Sequence, residues 1–146
     1  MVKGISKEFC DWVKARLVEY SEGVLAPELI FDERQTDLGM AIKQAVNSKL
    51  GCCVVLRAPR ITQADGNSPD DTRYTINLDV AVLHNAALSP QVDSVLLSEE
   101  LFARFAGAEF MLPGFMPRNV RADNLSHELQ GTKWTHVFTT NYITIL

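Results

Sequence analysis

The strongest constraint on the fold is an alternation of apolar and polar residues along positions 73–83. The apolar positions are Tyr74, Ile76, Leu78, Val80 and Val82. Side chains of a β-strand point alternately to opposite faces of its sheet, so this pattern predicts a strand with one buried face and one wet face. The apolar run at residues 52–56 predicts a buried strand. We expect it to pair antiparallel with the alternating strand across the polar stretch 61–72.

Three other segments have apolar residues at helical spacing. They predict helices at residues 6–20, about 36–50 and about 93–106. Gly51 and Gly107 follow the second and third segments, where a glycine in the left-handed conformation commonly ends a helix.

Two strands are predicted near the end of the sequence, at residues 119–125 and 133–145. The second is rich in aromatic and β-branched residues, and alternation places Trp134 and His136 on one face with Val137 on the other. Together, these elements predict an α+β fold. It consists of an antiparallel sheet of about four strands with two to three helices packed on one face, in a single domain over residues 1–146.

Composition restricts the classes of function. The formal net charge of -4 argues against a general nucleic-acid-binding protein, which usually carries a basic excess. No apolar run approaches the roughly 20 residues that a membrane-spanning helix needs, so no membrane association is predicted. The three cysteines are odd in number and include an adjacent pair, which is unlike an extracellular disulfide framework and favours a cytoplasmic location.

No motif in the sequence predicts a catalytic, metal or cofactor site. The segment Gly131-Thr132-Lys133 lacks the upstream glycine and spacing of a phosphate-binding loop, and it is better interpreted as a turn. Metal sites need converging ligands, whereas the three histidines are scattered and adjacent cysteines on a strand point to opposite faces. The histidines are His84, His127 and His136, and the adjacent cysteines are Cys52 and Cys53.

One catalytic alternative stays open at this level. Cys10 or Cys53 could act as a nucleophile with a histidine that folding brings close. Asp11 stands next to Cys10, and a nearby negative charge disfavours the reactive thiolate.

The polar stretch predicts contacts with a partner protein. It is rich in turn-forming residues and is long for a hairpin loop, so we expect it to become ordered against a neighbour. The residues predicted to make these contacts are Gln63, Asp65, Asn67, Asp70 and Asp71.

The order of elements resembles that of small phage and prophage tail proteins of the tail terminator and minor tail types. The resemblance covers roughly residues 40–146 and rests on the strand and turn at 74–85, the helix at 95–106 and the final strand at 132–145. It implies a structural subunit without catalytic residues or cofactor.

The same resemblance implies assembly into a ring, often a hexamer, at the tail end or the head–tail junction. The partners would be other copies and other tail or head–tail connector proteins, with the hairpin loop at 63–71 facing them. The location would be the host cytoplasm during assembly and then the virion tail.

Two other classes of function remain as alternatives. A small cytosolic ligand-binding or regulatory domain would need a concave apolar pocket with a few polar groups. An enzyme dependent on a cysteine or histidine would need a thiol that reacts rapidly near neutral pH.

Overall fold

The computed structural model describes residues 5–48, 51–64, 73–84, 94–106, 108–110, 118–128 and 131–140. Within these ranges the helices are α1 (Ile5–Tyr20), α2 (Leu38–Val46) and α3 (Ser94–Phe105), with a 3₁₀ turn at Pro27–Leu29. The strands are β1 (Ile30–Asp32), β2 (Cys52–Leu56), β3 (Arg60–Ala64), β4 (Arg73–His84), β5 (Glu109–Phe110), β6 (Arg118–Asn119), β7 (Arg121–Glu128) and β8 (Gly131–Thr140). The fold is α+β, as predicted, and none of the described helices is long and apolar enough to cross a membrane.

The alternating strand, β4, lies at the centre of a six-stranded sheet. One of its sides pairs antiparallel with β2, where Val82 lies opposite Val54, and also with β3. Its other side pairs antiparallel with β8, from Tyr74 opposite Thr140 onwards. The strand order is β1-β2-β4-β8-β7 with β3 beside β4, while β5 and β6 form a separate pair. The predicted antiparallel pairing of β2 with β4 is therefore confirmed.

β3 continues the line of β2 along the same side of β4, with a register shift between them. Leu56 lies opposite Val80 and Arg60 lies opposite Asn77, so the β2–β3 side contains one residue more than β4 does. Such a β-bulge bends the strand that carries it. The prediction of a loop over the whole stretch 61–72 is wrong at its start, because residues 61–64 belong to the edge strand β3.

The prediction of an antiparallel sheet of about four strands is confirmed only in part, because the sheet is mixed and has six strands. β1 runs parallel to β2, with Ile30 opposite Val54. Parallel neighbours cannot be joined by a tight turn and need a crossover connection. The segment that contains α2 provides this crossover. A strand of three residues is too short to show a period in the sequence, which is why only a short extended piece was expected there.

The helices pack on both faces of the sheet, whereas the sequence analysis predicted one face. α1 and α3 bury their apolar sides against one face, which we call the core face. The helix residues of this core include Phe9, Val13, Leu17, Leu97, Leu101 and Phe105, and those of β4 are Ile76, Leu78, Val80 and Val82. Full burial of each large apolar side chain contributes about 1.5–3 kcal/mol.

α2 packs on the other face, at the β1–β2 end of the sheet. It contacts β1 and β2, yet its buried residue Ala45 is not part of the core that α1 and α3 form. Cys53 and Val55 point away from the core face and are nevertheless buried. A crossover must pass over one face of the sheet, and α1 and α3 already cover the core face.

α1 ends in a tight turn, and the residues of this turn form one wall of a cleft. Glu22 has a left-handed φ of 56°, and Gly23 follows with a φ of 81°. The amide of Gly23 donates to the carbonyl of Val18, and the hydroxyl of Ser21 donates to the same carbonyl. These bonds satisfy carbonyl groups that the end of a helix leaves open. The helix stop predicted at residues 21–23 is confirmed.

The last two strands are displaced by a few residues from their predicted positions. β7 contains a bulge between Asp123 and Ser126, where Asn124 has a left-handed φ of 63°. Trp134 and His136 of β8 are both buried, as the alternation predicts. The predicted end of the final strand, residues 141–145, lies outside the described residues.

Candidate functional site

A broad region of the sheet is left uncovered by the described helices. It lies opposite the core face on β3, β4, β8 and β7, because α2 covers only the β1–β2 end. We call this region the open face. Strand alternation and register place on it Arg60, Thr62, Thr75, Asn77, Asp79, Arg121, Asp123, Lys133 and Thr135. The polar residues predicted for the wet face of the alternating strand therefore meet polar residues of three neighbouring strands.

Asp79 is the centre of a hydrogen-bond network on the open face. Both of its carboxylate oxygens accept from Arg60 Nη2, at 3.1 and 3.2 Å. The hydroxyl of Thr135 donates to the same carboxylate at 2.7 Å, because Thr135 lies directly opposite Asp79 in the β4–β8 pair. Three strands are thus linked through one carboxylate, which is 30% exposed.

Two further ion pairs lie near the open face. Arg121 Nη2 lies 3.2 Å from the carboxylate of Asp123, and Lys133 Nζ lies 2.9 Å from that of Glu128. Each pair is partly or largely exposed, so its contribution to stability is small, about 0–1 kcal/mol. The result is a surface of balanced charge with many hydrogen-bonding groups, which is chemically suited to contact with another protein surface.

One histidine cluster joins three elements that are distant in sequence. His127 Nδ1 lies 2.8 Å from the hydroxyl oxygen of Thr132, and its Nε2 lies 3.0 Å from a carboxylate oxygen of Glu99. Hydroxyl, imidazole and carboxylate in this order are the groups of a nucleophilic triad. Thr132, however, is only 2% exposed, so a substrate has no access to its hydroxyl. The cluster acts as a clamp between α3 and the β7–β8 hairpin.

No local sequence pattern indicates this clamp, because Glu99 and His127 are distant in the sequence. The cross-strand register places His127 directly opposite Thr132. A correctly predicted register of the β7–β8 hairpin could have indicated the contact between His127 and Thr132.

His136 is a buried imidazole in an apolar environment. Trp134 Nε1 donates to its Nε2 at 2.9 Å, and the ring of Phe105 lies 4.3 Å away between centroids. Since Nε2 accepts a hydrogen bond, the neutral ring carries its proton on Nδ1, which has no partner among the described residues. Burial lowers the pKa of His136 to about 3. His136 therefore lies in the core of its own fold, and the ring is unsuited to accept a proton near neutral pH.

The three cysteines are buried and poorly suited to nucleophilic chemistry. Burial raises the pKa of Cys10 to about 11, with the charge of Asp32 as a second cause and that of Asp11 as a smaller one. Burial likewise raises the pKa of Cys53 to about 12 and raises that of Cys52. Because the thiolate is the reactive form, none of these thiols is activated.

A cleft of about 620 Å³ lies between the turn after α1 and the outer side of α3. Its lining residues are Tyr20, Ser21, Glu22, Val24, Leu96, Leu97, Glu100, Ala103 and Arg104. Leu96 is 53% exposed and Val24 is 39% exposed. The cleft is therefore partly apolar and open to solvent.

The residues predicted to contact a partner fall largely outside the described structure. The backbone of Gln63 lies in β3 opposite Tyr74, and the chain continues from β3 into the predicted contact segment. Asp65, Asn67, Asp70 and Asp71 lie outside the described residues.

The described part of the chain contains no group of three or more side chains that could hold a metal ion. Its polar side chains are instead linked in small networks within and between strands. Comparison with protein-family models, with curated proteins and with solved structures found no match for this chain.

Proposed function

We propose that this chain is a structural subunit of a phage or prophage tail, of the tail terminator or tail completion type. The observation that carries the proposal is the open face, which spans four strands and whose described side chains carry balanced charge and form no converging catalytic group. In this proposal, copies contact one another through the open face and form a ring, as a hexamer in the simplest case. Other tail or head–tail connector proteins bind the β3–β4 hairpin.

The chemistry of the described side chains supports a structural role over a catalytic one. The cysteines are buried with raised pKa values, and the hydroxyl of the one triad-like cluster is closed to substrate. An enzyme of the cysteine or histidine type would need at least one such group to be both activated and accessible.

A small ligand-binding domain is less well supported. Small-molecule sites bury most of their ligand in a largely preformed pocket. The cleft between α1 and α3 has a suitable volume, but Leu96 on its wall is half exposed and would stay in solvent around a small ligand.

Electron microscopy of the purified protein at high concentration tests this proposal. Ring-shaped particles are expected, together with capsid or tail genes next to the gene for this chain. Isolated particles of single-subunit size at every concentration, with unrelated genes on both sides, would contradict it.

A further inference from the structure

Exposed apolar side chains lie in and beside the cleft between α1 and α3. Among the described residues, the exposed large hydrophobic side chains are Val24, Met40, Ile61, Val95 and Leu96. Val24 and Leu96 both line this cleft, and Val95 precedes Leu96 on α3. Clustered rather than scattered apolar exposure is a mark of an interaction site.

The charges of the cleft are unbalanced. Glu22 lies 3.5 Å from Arg104, so the one positive charge of the lining already has a carboxylate partner. Glu100 also lines the cleft and forms no ion pair within the described part of the chain. An occupant that matches this surface therefore needs apolar side chains and one positive charge.

We propose that the cleft binds an amphipathic segment of a partner protein that carries a lysine or arginine beside its apolar side chains. The apolar side chains would lie between Val24 and Leu96, and the cation would pair with Glu100. This is the helix-in-groove mode of recognition, in which an apolar stripe fills the groove and a charge fixes the orientation. An anionic lipid surface is a poorer match, because the uncompensated charge of the cleft is negative.

The site is distinct from the open face, since α3 lies on the opposite side of the sheet. The proposal consequently holds for any partner protein and does not depend on the assignment to a phage tail. If the protein forms no ring, the proposal for the cleft still stands. If no peptide binds the cleft, the proposal for the open face still stands.

Binding can be measured with a set of labelled amphipathic peptides of about 15 residues, which is the length at which isolated helices become populated. Each peptide has leucines on one face and a single lysine, and the lysine position varies across the set. Fluorescence anisotropy with the whole chain measures the affinity. We expect at least one peptide to bind, with affinity lowered about ten-fold, or about 1.4 kcal/mol, by Leu96→Asp or by Glu100→Lys.

A charge exchange identifies the predicted ion pair. The Glu100→Lys variant is expected to prefer the same peptide with glutamate in place of lysine. Met40→Asp is the matched control, because Met40 is 68% exposed on α2 and lies outside the cleft. It should leave peptide binding unchanged.

Three results would overturn the proposal. They are the absence of binding across the whole peptide set, an equal loss of affinity in the Met40→Asp control, and a loss of self-association on Leu96→Asp. The last result would show that a second copy of this chain occupies the cleft.

Discussion

Lowering the pH from 7 to 5 is expected to destabilise the fold through His136. The imidazole is fully buried, and its described neighbours on four elements are uncharged: Leu78 of β4, Ala122 of β7, Phe105 of α3 and Trp134 along its own strand. A protonated ring could not accept the hydrogen bond from Trp134, and it would place a charge in this apolar environment.

The magnitude follows from the difference between the two pKa values. The unfolded chain binds a proton at His136 below its ordinary pKa of 6.5, while the folded chain binds it only below about 3. The stability contributed by the neutral ring is therefore complete above pH 6.5 and is lost as the pH falls toward 3. The full difference corresponds to about 5 kcal/mol, and about 2 kcal/mol of it falls between pH 7 and pH 5. A domain of this size has a stability of about 5–15 kcal/mol, so the loss is large enough to measure.

Urea unfolding at several pH values between 7 and 5, followed by tryptophan fluorescence, measures this loss. The variant His136→Gln keeps an acceptor for Trp134 and cannot titrate, so its stability is expected to be lower at pH 7 and nearly independent of pH in this window. His127→Gln is the matched control, because it removes an exposed imidazole and leaves the buried one in place.

If the wild-type protein has constant stability from pH 7 to pH 5, protonation of His136 does not destabilise the fold and the prediction is wrong. A His136→Gln variant that folds, and whose free energy of unfolding depends on pH as steeply as that of the wild type, would also contradict it.

Other predictions concern packing, reactivity and the open face. Gly131→Ala should destabilise by about 1–3 kcal/mol in urea, since its new Cβ would lie 2.6 Å from the carbonyl oxygen of Val82, whereas Gly39→Ala, which meets nothing within 4 Å, should not. All three cysteines should react with a thiol reagent only in denaturant, and one fast-reacting thiol in the native protein would contradict their burial. In a double-mutant cycle, Asp79→Ala and Thr135→Val should show a coupling of about 0.5–1.5 kcal/mol, and additive effects of the two substitutions would contradict their hydrogen bond.

Much of the sheet could be predicted because its signals are local. The alternation in β4 reports which face is buried, and the apolar run of β2 is bounded by turn-forming residues. β1 could not be predicted, because three residues show no period and parallel pairing with β2 depends on how the chain crosses over. β3 was missed because it has only five residues and is followed directly by the turn-forming residues of the polar stretch.

The candidate sites depend on contacts between residues that are distant in the sequence, and no local sequence pattern indicates such contacts. The network around Asp79 needs the registers of β3 and β8, and the clamp at His127 needs α3 to lie against the β7–β8 hairpin. The cleft arises where the turn at Glu22 meets Leu96, more than seventy positions later in the chain. By contrast, alternation alone places His136 and Trp134 on the same face of β8.

The most direct test of the structural role is the mass of the protein in solution, measured by light scattering over a range of concentrations. If copies of the chain associate through the open face, we expect a mass above the 16.3 kDa of one chain. We also expect that Lys133→Glu on the open face lowers this mass, while Lys14→Glu, an equal charge change on the exposed side of α1, does not. A mass of one chain at every concentration would contradict the account, and so would equal masses for the two variants.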